Sequence, residues 1–327
     1  MPLTNYTKFK GTTDIAHTST SSTLETNLKV FLDWGLLSIG AWYDIVIDSS
    51  SGHYGGQFYK LRAVDDPAFS DGRVWESARK DWVWETGVQY TGAEEPIQIS
   101  GVWVNGSYYE TGDATYAHHY NYPLGRVVFD NPIHPQDTVE LNHSYKWAQV
   151  YRSMDSPWYK ELQYNSLRVD DTHYDQKASG DFAILANHRV QLPAVIVEVS
   201  PTKRFEPYEM GNGSLTTMQD VRFHVLAESA WERNKLMDII SEQDDKNIWL
   251  YNVDEVIKKG HMPLDHRGMV ATNPKMYPNF VDPTGDGGSR HKTCRFTNTT
   301  VTEVENHNPR LYEAVVRSTM EVMVGAV

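Results

Sequence analysis

Leu192-Pro193-Ala194-Val195-Ile196-Val197-Glu198-Val199 is a near-continuous apolar run with proline at its mouth. It reads as a strand buried on both faces, since proline lacks an N–H and is tolerated only where a strand begins. A loop containing Gly211-Asn212-Gly213 follows. Val221, Phe223, Val225 and Ala227 then alternate with Arg222, His224, Leu226 and Glu228, the period of a half-buried strand. Ser229-Ala230-Trp231-Glu232 is a capping box and opens a helix through Leu236, Met237, Ile239 and Ile240. Asp244-Asp245-Lys246-Asn247 breaks that helix, and Ile248-Trp249-Leu250-Tyr251 reads as a short strand. The β-β-α-β unit from Leu192 to Lys259 carries no recognisable catalytic group, so it reads as scaffold.

On the N-terminal side, Gly11 to Ser22 is rich in Thr and Ser and reads as a flexible arm. Ser22-Thr23-Leu24-Glu25 is a second capping box. Leu24, Leu28, Phe31 and Leu32 give the helix one apolar face, and Asp33-Trp34-Gly35 is expected to close it. Ile39 to Asp48 then reads as a strand. From Asp65-Asp66-Pro67 to Tyr151 the chain changes to short alternating runs between frequent turn signals. The longest, Thr138 to Tyr151, presents Val139, Leu141, His143, Tyr145, Trp147, Gln149 and Tyr151 on one face. Many short strands at this spacing predict a β-sandwich or small barrel. Near the C-terminus, Lys292 to Glu305 and Leu311 to Met323 read as two long paired strands. Tyr312, Ala314, Val316, Ser318, Met320 and Val322 share the drier face of the second. The expected fold is α+β. A mixed sheet with a few helices (1–60 and 176–327) carries an inserted, sandwich-like all-β domain at 61–175.

Composition narrows the function classes. The 327 residues carry 30 Lys and Arg against 43 Asp and Glu, a net charge of -13. That balance argues against gripping nucleic acid over a broad face, which needs clustered cations. One cysteine, Cys294, excludes an internal disulfide framework. Met1 to Lys10 has no apolar signal core and no run approaches transmembrane length, so no membrane association is expected. The 10 Trp and 19 Tyr are many for this length and serve either a β-rich core or a contact surface.

No catalytic, cofactor or metal site emerges from motif spacing. Gly285-Asp286-Gly287-Gly288 lacks phosphate-loop spacing and precedes a strand rather than a helix. His261, Asp265 and His266 are interrupted by Pro263 and form no helical His pair. Adjacent His118 and His119 point to opposite sides of a strand and cannot share an ion. Cys294 has no base in evidence, and the acidic pairs flank turns as solvated caps. No enzyme activity is therefore expected. Lys203-Arg204-Phe205-Glu206-Pro207-Tyr208-Glu209-Met210 is more suggestive. It reads as an inter-strand loop, with Lys203, Arg204, Phe205, Tyr208 and Met210 as a candidate interface of residue types enriched in protein contacts.

Three stretches carry a family resemblance. Asp33-Trp34-Gly35-Leu36-Leu37-Ser38-Ile39-Gly40-Ala41-Trp42 resembles the N-terminus of neck and tail-completion proteins of tailed bacteriophages. Asn121-Tyr122-Pro123-Leu124-Gly125-Arg126-Val127-Val128-Phe129-Asp130, Glu161-Leu162-Gln163-Tyr164 and Arg168-Val169-Asp170-Asp171 resemble the middle of the same virion proteins. Leu192 to Glu198, with Arg204, Pro207-Tyr208-Glu209 and Ala227 to Arg233, resembles their tail-terminator-like core. The resemblance implies a structural role: a homomeric ring, usually six-fold, in the phage neck. Such a ring terminates the tail tube and joins it to the head-tail connector, with tube, sheath and connector proteins as partners, in the virion. Negative charge would then suit a lumen through which DNA passes without adhering. The alternative is a receptor- or carbohydrate-binding virion module, which predicts Trp75, Trp82, Trp84 or Trp103 on one exposed strip. A polysaccharide hydrolase ranks third and needs two carboxylates facing each other across a cleft.

Overall fold

The structure, a computed structural model, describes residues 20–47, 58–85, 87–91, 94–156, 191–207, 215–282, 289–303 and 311–324. The fold is α+β, with strands predominating. Chain contacts divide it into two units. One comprises Met1–Leu32, Val150–His261 and Tyr277–Val327, and the other comprises Asp33–Gln149 and Met262–Met276.

The first unit is built on a six-stranded sheet. In chain order its strands are β10 (Gln149–Arg152), β11 (Ala194–Pro207), β12 (Leu215–Ala227), β13 (Asn247–Tyr251), β14 (Arg290–Glu303) and β15 (Tyr312–Val324). Their order across the sheet is β10-β11-β12-β15-β14-β13. β12 and β15 pair antiparallel without a break from Leu215↔Val324 to Ala227↔Tyr312. Directly opposed residues share a face. Val221, Phe223 and Val225 therefore lie beside Ser318, Val316 and Ala314, and Met320 lies beside Phe296. All of these are buried, as the alternation in both strands predicts. Helix α2 (Ala230–Ser241) packs on β12, β14 and β15 through buried Leu236 and Ile240. Ser229 caps it: its Oγ accepts from the Glu232 N–H at 3.2 Å and donates to the Glu232 carboxylate at 3.0 Å.

Helix α1 (Thr20–Ser38) runs through Asp33-Trp34-Gly35 rather than ending there. The apolar i, i+4 stripe of Leu24, Leu28 and Leu32 continues to Leu36, and Leu36 and Leu37 are buried. Their burial outweighs the roughly 1 kcal/mol that one interior glycine costs a helix. Within the first unit, Phe31 packs edge-on against Tyr277 and near Phe296, with ring centroids 5.6 and 6.0 Å apart. Buried Asn27 accepts from the Tyr251 N–H at 2.8 Å and donates to the Tyr251 carbonyl at 3.1 Å, tying α1 to the edge strand β13. Buried Glu25 accepts from the N–H and Oγ of Ser153. Two short helices, α3 (Val253–Lys258) and α4 (Tyr277–Val281), complete this unit.

The second unit has three small antiparallel sheets. β1 (Trp42–Ile45) pairs β9 (His143–Lys146). β2 (Arg62–Val64), β3 (Val74–Glu76), β7 (Arg126–Phe129) and β6 (His118–Asn121) lie in that order, as do β5 (Ser107–Glu110), β4 (Gly101–Val104) and β8 (Val139–Glu140). They share one core that includes Trp75, Trp82, Val127, Phe129, Leu141 and Tyr145. Asn105 and Gly106, both at positive φ, make the tight β4–β5 turn.

Two sequence expectations are corrected here. The strand after α1 does not join the larger sheet but pairs with β9, where Tyr43 packs on Tyr145. Thr138 to Tyr151 is not one strand but three, because its backbone changes partners. The Leu141 N–H donates to Tyr59 and the Trp147 N–H to Ala41, between the β8, β9 and β10 pairings. Residues 143–150 are buried at every position, so alternation there marks no outer face.

Candidate interaction surfaces and a polar cleft

Lys203, Arg204 and Phe205 lie on β11, not in a loop. Lys203, Arg204 and Phe205 oppose Gln219, Met218 and Thr217. The ladder is irregular between Val199 and Lys203, where β11 advances four residues (203 − 199) while β12 advances two (221 − 219). Pro201 sits inside that bulge. Its missing N–H cannot serve the ladder, so pairing breaks there and resumes beyond it. That break is what makes the sequence look like a loop. Tyr208 and Met210 lie outside the described residues.

Phe205 is 60% exposed. Lys203 and Lys292 are both half-buried, and burial holds each below its ordinary pKa. For Lys292 the Lys203 charge adds to the effect. This end of the sheet therefore places two cations and an exposed ring on rigid backbone.

The opposite sheet face has a second feature that sequence reasoning missed. Glu206, Thr216, Met323, Thr293 and Trp249 stand in register across five strands. Trp249 is 43% and Met323 46% exposed. The Arg290 guanidinium stacks on Trp249 at 4.0 Å from the ring centre. The signal lay in strand parity: Trp249 alternates with buried Ile248 and Leu250.

The chemistry-bearing residues weighed above are scattered. The Cys294 thiol is buried and pushed up to about 12, chiefly by burial. His118 and His119 fall on opposite sides of β6: His118 is buried between the Tyr116 carbonyl and the Tyr120 hydroxyl, and His119 lines a cleft. Asp265 accepts from the Arg267 and Met269 N–H groups in a turn. Gly285 to Gly288 lie outside the described residues. Among the described residues, no group of three or more His, Cys, Asp and Glu is arranged to hold a metal ion. No helix among them is long and apolar enough to cross a membrane. Trp75 and Trp82 do not form an exposed strip. Both are buried, their indole N–H groups donating to the Gly72 and Arg79 carbonyls.

One buried ionic cluster was invisible in the sequence. Lys146 Nζ lies 2.7 Å from Asp33 and 2.9 Å from Glu85. Burial alone would depress the Lys146 pKa, but the Asp33 and Glu85 charges together hold it well above its ordinary value. One cation faces two carboxylates. Burial pushes Glu85 up to about 7 against the attraction of Lys146, with Asp33 adding to the rise.

The second unit also holds a cleft of about 480 Å³ beside β6 and β7. Arg73 just before β3, His119 and Asn121 on β6, Arg126 on β7, and His266 and Arg267 in a turn line it. Arg126 is committed to Asp66 at 2.8 Å and Glu76 at 2.7 Å. Arg73 Nε donates to the Phe129 carbonyl at 2.7 Å, and its guanidinium lies over Phe69. The Asp265–Gly268 turn is pinned to this wall, because the Tyr122 N–H donates to the Gly268 carbonyl at 3.1 Å. Gly268 has φ +77, and a Cβ there would stand 2.6 Å from Asn121 Oδ1, so only glycine fits. Asp66 and Asp130 are the carboxylates in the lining, and Asp66 and neighbouring Glu76 are paired with Arg126. No protein-family model matches the chain, and no curated protein matches it.

Proposed function

We propose that the protein is a structural virion component that assembles with copies of itself into a ring. The ring would sit in the neck of a tailed bacteriophage, end the tail tube and join it to the head-tail connector. Its large sheet would be the tail-terminator-like core, and its β-rich unit a sandwich-like insertion. The observation that carries self-assembly is the row from Glu206 to Trp249, which holds Trp249, Met323 and the stacked Arg290 exposed on paired strands. Aromatic, Met and Arg side chains on rigid backbone are the anchors of protein interfaces. Lys203 and Phe205 of β11 offer a different patch on the opposite face, and a ring needs two complementary patches. The family resemblance of Asp33 to Trp42 and of Leu192 to Arg233 supplies the phage neck. In this reading the partners are the ring's own copies and the tube, sheath and connector proteins. The role needs no catalysis and no cofactor, and DNA is cargo.

The test is the assembly state of Trp249→Ala and Phe205→Ser against the parent chain, by mass photometry. Both side chains are exposed, so the variants should fold. Each is expected to shift the distribution toward single copies by at least about tenfold, the loss of one interface anchor of ~1.4 kcal/mol or more. Unchanged distributions for both would remove these surfaces from the account. The second reading, a carbohydrate-binding virion module, loses its tryptophan strip but gains the cleft beside β6 and β7.

A further inference from the structure

We infer that the cleft beside β6 and β7 binds a small monocarboxylate of acidic-sugar size, held between Arg73 and Arg267. The inference gives a ligand class to the second reading above, and its failure would leave ring assembly untouched.

Size comes first. A volume of about 480 Å³ falls within the roughly 300–1,000 Å³ typical of small-molecule sites. Charge decides the ligand class. Arg126 and Lys80 together offset Asp66 and Glu76, to which they are paired. Among the described residues, neither Arg73 nor Arg267 has a carboxylate within ion-pair distance. Asp130 is the one carboxylate left in the lining. Two cations less one anion leave one positive charge, in a chain whose net charge is -13. A monocarboxylate neutralises that charge, whereas a phosphate monoester dianion leaves the site negative. Guanidinium groups also suit a carboxylate because they bind it with two parallel hydrogen bonds.

The remaining lining favours a sugar over a bare acid or a peptide side chain. His119, His266 and Asn121 supply further hydrogen-bonding side chains, more than one carboxylate can use. Phe69, Leu124 and Val128 give an apolar wall for the C–H face of a ring. The site is also built rather than incidental. The Asp265 side chain accepts two N–H groups of its own turn, and the Gly268 carbonyl anchors that turn to Tyr122, which fixes His266 and Arg267 over the cleft. His119 registers the arrangement: burial depresses its pKa, Asp130 opposes the shift, and Arg267 and Arg73 add to it.

The test is isothermal titration of the full chain with glucuronate, glucose, glucose 6-phosphate and a short glutamate-containing peptide. Saturable glucuronate binding is expected below about 10 mM, with each of the other three weaker by about tenfold or more. Arg267 is exposed and its side chain forms no hydrogen bond or ion pair among the described residues, so Arg267→Gln should fold, and it should weaken glucuronate at least about tenfold. Arg267→Lys, which keeps the charge, should recover part of that loss. Absent glucuronate binding, equal or tighter binding of glucose, phosphate or peptide, or an unchanged Arg267→Gln would each overturn the inference.

Discussion

Lys146, Asp33 and Glu85 are the residues on which the second unit's charge chemistry turns. Glu85 has a pKa near 7 in the fold, above the 4.5 of an ordinary glutamate. Its preference for the proton stabilises the fold fully below pH 4.5, and that contribution is lost as pH rises through 7. His143 acts in the opposite sense: burial depresses it to about 4 from 6.5, so its contribution is present above 6.5 and lost as pH falls through 4. The two oppose each other between about 4.5 and 6.5, and above 6.5 Glu85 acts alone. Urea unfolding should therefore show a loss on the order of 1 kcal/mol between pH 6.5 and 8. Glu85→Gln should flatten that segment, and an unchanged slope would show that Glu85 does not titrate there. Lys146→Ala should cost about 3–5 kcal/mol, because it leaves two carboxylates buried without a cation. None of this was legible in the sequence. Lys146 lies 113 residues from Asp33 and 61 from Glu85. Alternation also placed Lys146 on the outer face of a strand, and only its two ion pairs make its burial tolerable. The cleft arginines escaped for the same reason: Arg73, Arg126 and Arg267 converge through tertiary pairing that no local spacing encodes.

Elements were legible where a local rule and the tertiary fold agree. The box at Ser229 to Glu232 opens α2 as read, because the Ser229 hydroxyl satisfies the Glu232 N–H and is itself held by the Glu232 carboxylate before any packing is needed. Ser229→Ala should lower stability by about 1 kcal/mol in chemical denaturation. A loss of only a few tenths would mean that α2 is held by Leu236 and Ile240 alone. The last strand was equally plain, since small and apolar residues alternate along its drier face from Tyr312 to Val322. Elements were misread where context overrides propensity. Gly35 stays helical because Leu36 and Leu37 have a core to enter. Lys203 to Pro207 stays a strand because β12 offers a partner beyond the Pro201 bulge. The Thr138 to Tyr151 run divides because its backbone finds three different partners.

At the scale of the molecule, the sequence conveyed the α+β class and the change of texture after Asp65. It did not convey where the units divide. Among the described residues, 33–47, 58–60 and 262–276 belong by contacts to the β-rich unit, and only tertiary packing assigns them. The sequence-read interface stretch supplied Phe205 with its neighbours Lys203 and Arg204. The row through Trp249 and Met323 appeared only when strand register brought β12, β13, β14 and β15 together. Both patches lead to the central claim, association of identical copies. Electron microscopy of the purified chain, with mass photometry on the same sample, tests that claim most directly. A closed ring of identical copies around a central opening is the predicted result. Single copies at every concentration up to the solubility limit would contradict it.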